Sequence, residues 1–188
     1  RSTTPMVIGS KNENAVLKAL SNLDFVSNVF DVGLIEHINI PWLAASPDAI
    51  SIIQVSEDSA YIAPVEVKTR VAPDKILEAE MIAQKYNHKI ISCGVGDEVW
   101  KECVEPEHST QVMMQMIVLR VSHVLYIVAR AGSKEAYGRI LYVVLGKWKE
   151  EDAREFVGRL KYTADQVLLP FYESTTVDEL LHLSLIHI

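Results

Sequence analysis

Cysteine and long apolar runs are scarce in this sequence, and each scarcity argues against a class of protein. The 188 residues include two cysteines, Cys93 and Cys103, too few for the disulfide framework of a small secreted domain. The longest apolar runs, 124–129 and 140–145, fall well short of the roughly 18 residues that a membrane span needs. No basic segment followed by an apolar stretch suggests a secretory signal. We therefore expect an intracellular protein, cytoplasmic or nuclear, with no membrane contact.

Basic residues are also fewer than acidic ones in this sequence. The sequence has 18 Lys and Arg residues against 25 Asp and Glu residues, which gives a net charge of −7. Because non-specific affinity for nucleic acid usually comes from a basic surface, this balance argues against a module that coats DNA passively. It does not argue against an enzyme with clustered carboxylates, since bound divalent cations cancel their charge.

The length and the order of predicted elements indicate one α/β domain. A chain of 188 residues is long enough for one core and short for two. Apolar periodicity predicts helices over 10–20, 73–86, 107–119 and 147–162. It predicts strands over 49–55, 61–68, 89–95, 122–129 and 138–145, and a strand or bent hairpin over 25–40. This order predicts one mixed central sheet with helices on both faces.

The two ends of the sequence carry separate expectations. We expect a core over about 1–170 and an apolar helical tail over 171–188, within a single domain 1–188. The tail would pack on the domain, on a second copy or on a partner protein. Because the sequence begins with Arg1 rather than Met, we expect a domain cut from a longer protein.

Two carboxylates and a lysine stand at positions where a hairpin would bring them together. Glu66 and Lys68 are two residues apart on a predicted strand, so both side chains project from one face. If the hairpin turns symmetrically about Asp58, Asp48 lies opposite Lys68 and diagonal to Glu66, with the carboxylate-bearing Cβ atoms roughly 7 Å apart. Carboxylates so placed can share one Mg²⁺ or Mn²⁺ ion, and the Val67 carbonyl would add a further oxygen ligand.

Phosphodiester hydrolysis needs this combination of groups. A bound metal neutralises the phosphate and lowers the pKa of a water, while Lys68 would orient or deprotonate that water or stabilise transition-state charge. An E-x-K triplet alone is expected about once by chance in a chain of this length. The alternative that Glu66 and Lys68 form only a solvated ion pair at a strand edge therefore remains open. The Pro47-Asp48 pair before the preceding strand makes coincidence less probable than the triplet alone does.

A longer series of motifs carries a family resemblance. The series consists of Gly9 with Glu13, then WLAASPD over 42–48, VEVK over 65–68 and QVMMQM over 111–116. It resembles the order G-x3-E, S-P-D, E-x-K and Q-V-x-x-Q of the YqaJ and lambda-exonuclease-like viral recombinase nucleases in the PD-(D/E)XK superfamily. The resemblance spans residues 9–130. It implies a restriction-endonuclease-like core and metal-dependent cleavage of DNA.

The resemblance also implies functional residues. The metal and its attacking water would be held by Asp48, Glu66, Val67, Lys68 and Glu13. Gln111 would line the site from its helix. DNA and its terminal 5′ phosphate would be contacted by Ser46, Lys11 and Gln115.

Three of these assignments have structural alternatives. Ser10 and Glu13 form an S-x-x-E capping box, which would account for Glu13 without catalysis. Gln111 and Gln115, one turn apart, would also suit a solvent-exposed helix face.

Relatives that act as exonucleases usually have an arginine just before the first-helix glycine, where this sequence has Ile8. Lys11, the nearest cation, supplies a point charge but no bidentate fork.

The sequence therefore leaves three functions to compare. The first is a Mg²⁺- or Mn²⁺-dependent deoxyribonuclease, acting as an exonuclease on duplex ends in recombination or mobile-element processing, with endonuclease action left open. The second is a catalytically inactive nuclease-fold domain that binds DNA or assembles with proteins. The third is a zinc-stabilised domain that uses the widely spaced residues His88, Cys93, Cys103 and His108.

Overall fold

The computed structural model describes residues 4–87, 90–131, 137–163 and 165–166. The chain divides into two compact units, Arg1–Lys149 and Glu150–Ile188. The described helices of the first unit are α1 (Thr4–Leu20), α2 (Pro73–Lys85), α3 (Glu98–Cys103) and α4 (Pro106–Leu119). Its described strands are β1 (Val26–Phe30), β2 (Ile35–His37), β3 (Ile40–Ala45), β4 (Ala49–Ser56), β5 (Ser59–Arg70), β6 (Ile90–Gly94), β7 (His123–Arg130) and β8 (Arg139–Lys147). The second unit contains α5 (Glu150–Thr163).

Most of the predicted elements are present within a few residues of their expected bounds. The clearest omission is α3, which lies between the predicted strand 89–95 and the predicted helix 107–119. There Asp97 caps the short helix, and its Oδ1 accepts a hydrogen bond of 2.8 Å from the Trp100 amide. The predicted tail over 171–188 lies outside the described residues. Among the described helices, none is both long enough and apolar enough to cross a membrane.

A six-stranded mixed sheet forms the centre of the first unit. Its strand order is β1-β4-β5-β7-β8-β6, with β2 and β3 paired in a separate small sheet. The pairs β5·β7 and β6·β8 are parallel, and the other neighbouring pairs are antiparallel. Strand β7 is buried along nearly its whole length, as expected of a strand covered on both faces. The predicted mixed α/β architecture is confirmed.

Strand β5 divides the hydrophobic core from the polar site by simple alternation. Val65 and Val67 pack in the core with Val16 and Leu20 of α1. Because successive side chains of a strand point to opposite faces, Glu66 and Lys68 face the other way, toward α4. Helices therefore cover both faces of the sheet, as predicted.

The predicted register of the β4–β5 hairpin is wrong by two residues. Ala49 pairs with Val65 and Ile50 with Pro64, whereas a turn centred on Asp58 would pair position 50 with position 66. The turn is a two-residue loop at 57–58, and a bulge between Gln54 and Ser56 adds one residue to β4. Extending this register places position 48 opposite position 66. The two carboxylates are thus closer to each other than the sequence geometry predicted.

Helix α1 is tied to the sheet by the fully buried Asn12. Its Nδ2 donates to Thr69 Oγ1 at 3.0 Å, and its Oδ1 accepts from the Gly138 amide at 2.9 Å. Gly138 has a φ of +74°, and a Cβ there would lie 2.9 Å from the Ala15 carbonyl oxygen. Only glycine fits this close approach without displacing backbone, so this position sets how near α1 lies to β8.

We predict that Gly138→Ala destabilises the protein more than Gly96→Ala does. Both glycines have positive φ, which costs other residues about 1 to 3 kcal/mol. An added Cβ at Gly96 meets nothing within 4 Å, whereas at Gly138 it also meets the Ala15 backbone. Urea unfolding of both variants separates the shared strain from the steric clash. Equal losses of unfolding free energy would mean that α1 is not held at this distance.

Candidate functional site

The carboxylate of Asp48 is fixed against strand β5 at the beginning of β4. Its backbone amide donates to the Val65 carbonyl at 3.0 Å. Its Oδ2 accepts a 2.6 Å hydrogen bond from the Val67 amide. These two bonds continue the strand pairing past the first residue of β4 and hold the aspartate beside the Glu66–Lys68 segment.

Both oxygens of Glu66 are engaged, and the residue is 1% exposed. Oε1 forms an ion pair of 2.6 Å with Lys68 Nζ, and Oε2 accepts a 2.6 Å hydrogen bond from Gln115 Nε2. Lys68 Nζ also donates to Gln111 Oε1 at 3.2 Å. The structure thus joins four of the predicted residues, two from β5 and two from α4, into one hydrogen-bonded network.

The two glutamines of α4 have different environments. Gln111 is exposed, but Gln115 is 1% exposed and lies behind Glu66. The interpretation of a solvent-exposed helix face is therefore wrong for Gln115. Its burial also disagrees with the predicted direct contact to DNA, because a side chain enclosed in the protein cannot reach a surface ligand. Within the described residues, Gln115 Oε1 is buried and has no hydrogen-bond partner.

Glu13 lies inside helix α1, beyond its first two turns. Helix α1 begins at Thr4, so Ser10 lies inside it and the capping-box interpretation is wrong. Burial raises the pKa of Glu13 above its ordinary value, and the negative charges of Glu66 and Asp31 raise it further. Glu13 is therefore close enough to Glu66 to interact with it electrostatically.

Burial and neighbouring negative charge favour the protonated form of Asp48. The pKa of Asp48 is raised to about 7, first by burial and then by the charge of Glu66, with a smaller contribution from Glu13. The Val67 hydrogen bond and the charge of Lys68 lower it, but less. Three carboxylates face one lysine, and this excess of negative oxygen donors fits a hard divalent cation.

The remaining predicted residues lie at the surface. Ser46 is exposed in the loop between β3 and β4, two residues before Asp48, and Lys11 is exposed on α1. No hydrogen bond among the described residues joins either of them to the carboxylates. Their position is compatible with contacts to a large ligand, which the sequence predicts for both.

A second cluster of potential ligands lies nearby. Among the described residues, Glu105, Glu107 and His108 bring ligand atoms within 4.8 Å of one another. Glu105 Oε2 is already bound by Arg70 Nη2 at 2.6 Å and by His108 Nδ1 at 2.8 Å. His108 Nδ1 is also 3.0 Å from the Tyr126 hydroxyl. Because its central carboxylate and its imidazole are occupied by protein groups, this cluster is less suited to a metal than the Asp48 site.

The zinc alternative finds little support in the structure. Among the described residues, neither Cys93 nor Cys103 belongs to a group of three or more potential metal ligands. Zinc binds thiolates, and His108 is engaged with Glu105 and Tyr126. The fourth predicted ligand, His88, lies outside the described residues.

The sequence predictions missed two contributors to the site. Asn12 anchors α1 next to Glu13, but its partners are 57 and 126 residues away, so no local pattern reveals it. Arg70 could have been found, because it continues the alternation of Glu66 and Lys68 on the same face of β5.

We predict that Asp48→Asn stabilises the metal-free protein at pH 8 and has little effect near pH 4. A carboxyl group whose pKa is raised from 3.8 to about 7 on folding favours the fold at low pH, and that contribution is lost as the pH rises between these values. Each pKa unit corresponds to about 1.4 kcal/mol, and each kcal/mol to about 2 to 4 °C in a chain of this size. The asparagine keeps an acceptor for the Val67 amide.

Melting temperatures of both proteins in EDTA, measured from pH 4 to 8, test this expectation. Asp24→Asn, at an exposed position, is the matched control and should show no pH-dependent gain. A difference between Asp48→Asn and the parent that is constant with pH would contradict the crowded-carboxylate account.

Comparison with known proteins shows the fold. No model of a known family and no curated protein sequence matches the chain. The alkaline exonuclease LHK-Exo from Laribacter hongkongensis is similar in structure, with a TM-score of 0.50 at 16% identity, over 93% of this chain and 78% of the exonuclease chain. LHK-Exo in complex with dAMP aligns with a TM-score of 0.48 at 13% identity, over 93% and 77% of the two chains. The chain therefore shares the mixed α/β fold of this alkaline exonuclease.

Proposed function

We propose that this protein is a metal-dependent deoxyribonuclease of the lambda-exonuclease-like type that hydrolyses phosphodiester bonds. The observation that carries the proposal is the buried Glu66, bonded to Lys68 and Gln115, with a second carboxylate, Asp48, held beside it by the Val67 amide. Carboxylates exceed cations in this cluster. Such a network is costly without a function, because burial and mutual repulsion disfavour the charged forms. The likeness in fold to an alkaline exonuclease supports the same assignment.

Asp48 and Glu66 would hold the metal, with the Val67 carbonyl and Glu13 in supporting positions. The oxygen-only donor set suits Mg²⁺ or Mn²⁺ better than softer ions. When bound, such an ion supplies charge neutralisation of the phosphate and a water of lowered pKa. The Val67 amide and Gln115 Nε2 keep the two carboxylates oriented, because each donates to one carboxylate oxygen.

Lys68 is the residue that would act on the reacting groups. It is bound to Glu66 and Gln111, so its ammonium is confined to the edge of the site and remains partly exposed. From there its protons can orient the attacking water or stabilise negative charge that develops on the phosphate. Gln111, exposed on α4, limits where Lys68 can move.

Surface residues around the site bear on which DNA substrate it would take. Exposed Ser46 and Lys11 would contact the DNA backbone and a terminal 5′ phosphate. Ile8 replaces the arginine that grips this phosphate in exonuclease relatives, so end binding would depend on Lys11 and its single charge. We propose duplex DNA ends as the substrate and recombination or mobile-element processing as the context.

We predict that the purified protein degrades linear duplex DNA in Mg²⁺ or Mn²⁺, and that EDTA or Asp48→Asn abolishes the activity. Covalently closed circular DNA of the same sequence is the matched substrate, because it offers no ends. Loss of linear DNA alone identifies an exonuclease, and cutting of both forms identifies an endonuclease.

Folded protein that cuts neither substrate would contradict the nuclease proposal and favour a binding or assembly module with this fold. The folded state is checked by the melting temperature of the same preparation. Equal cleavage by the parent and by Asp48→Asn would remove Asp48 from the site, whatever the activity is.

A further inference from the structure

Three arginines stand side by side across the central strands of the sheet. Arg70 of β5 pairs in register with Arg130 of β7, and Arg130 pairs with Arg139 of β8. Residues paired in register on neighbouring strands place their side chains on the same face. Neighbouring strands are about 4.8 Å apart, so this arginine row extends roughly 10 Å across the sheet.

The arginine row lies on the same face as the proposed active site. Arg70 is four residues from Glu66 and two from Lys68 on one strand, so all three side chains project toward one side. At about 3.3 Å per residue, the row begins roughly 7 Å beyond Lys68. A nucleic-acid strand whose scissile phosphate is at Glu66 and Lys68 would bring neighbouring phosphates over the row.

The row is only partly neutralised by carboxylates. Arg70 is paired with Glu105 at 2.6 Å. Arg130 Nη1 is 3.6 Å from Glu80 Oε1, and its Nε is buried without a hydrogen-bond partner among the described residues. Arg139 is exposed and forms no ion pair with any residue in the described part of the chain. Arg139 therefore keeps its donors available for another ligand. The side chain of Arg130 is 38% exposed and faces a carboxylate only at 3.6 Å.

Like charges placed opposite one another on neighbouring strands destabilise a sheet. In a chain with seven more acidic than basic residues, such a row needs a compensating partner. The positive charge of this region also acts on the Glu105–Glu107–His108 cluster. There burial lowers the pKa of His108, and the charges of Lys68 and Arg70 lower it further. An arginine row that served only internal ion pairs would be expected to have one close carboxylate for each guanidinium.

We propose that Arg70, Arg130 and Arg139 form a binding site for the backbone phosphates of the nucleic-acid strand that adjoin the cleaved bond. This proposal rests on the nuclease function proposed above, and it adds a second site to it. Arginine suits the role because its planar guanidinium binds phosphate oxygens in pairs. A local basic row also explains how a protein of net charge −7 would hold DNA.

The test is binding of a fluorescently labelled duplex oligonucleotide in EDTA, followed by anisotropy at several salt concentrations. We expect Arg130→Gln and Arg139→Gln each to weaken binding and to reduce the slope of log affinity against log salt by about 0.9. The loss should be equal for two unrelated sequences, because phosphates carry no sequence information. Lys147→Gln, which removes an exposed charge at the opposite end of β8 from Arg139, is the matched control and should change neither quantity.

A gain-of-binding variant guards against losses caused by misfolding. Glu80→Gln removes the carboxylate that faces Arg130 at 3.6 Å, so we expect tighter binding and unchanged melting temperature. The proposal is overturned if the two arginine variants bind like the parent, if Lys147→Gln weakens binding equally, or if the parent shows no salt-dependent binding. Because no metal is present and no cleavage is measured, failure of the nuclease proposal leaves this result interpretable.

Discussion

The hydrogen bond from the Val67 amide to Asp48 Oδ2 is the interaction on which the site depends. It ties the side chain of Asp48 to β5 and holds a carboxylate next to the buried Glu66. Holding an ionised carboxylate there costs free energy. The pKa of Asp48 therefore rises to about 7, mainly because of burial and the charge of Glu66. The fold therefore holds two acidic groups together that would separate in water, and this arrangement favours any cation that binds between them.

The alternation of strand β5 lets one segment serve both the core and the site. Val65 and Val67 fill the core beneath α1, so the backbone of this strand is rigidly placed. Glu66 and Lys68 face α4 and are fixed in position by the same rigid backbone. Gln115 donates a hydrogen bond to Glu66, and Gln111 accepts one from Lys68. Packing on one face thus fixes geometry on the other, as a site on a central strand requires.

The sequence predicted the parts of the fold and site that depend on local pattern. Periodicity located the main helices and strands, and the two-residue spacing of Glu66 and Lys68 gave their common face. The register of the hairpin was wrong for two reasons, each worth one residue. The turn is centred between residues 57 and 58, and the bulge near Gln54 leaves no local signal. The beginning of α1 was also wrong, because Ser10 has capping chemistry but lies inside a longer helix. The arginine row could not be predicted, since positions 70, 130 and 139 meet only when β5, β7 and β8 are aligned.

The most direct test of the account is whether a metal binds at Asp48. Titration of the metal-free protein with Mn²⁺, followed by electron paramagnetic resonance, measures bound ion without reference to any substrate. The account predicts binding that Asp48→Asn and Glu66→Gln abolish and that His108→Ala leaves intact. Binding that survives both carboxylate changes, or that His108→Ala removes instead, would contradict it and assign the metal to the Glu105–Glu107–His108 cluster.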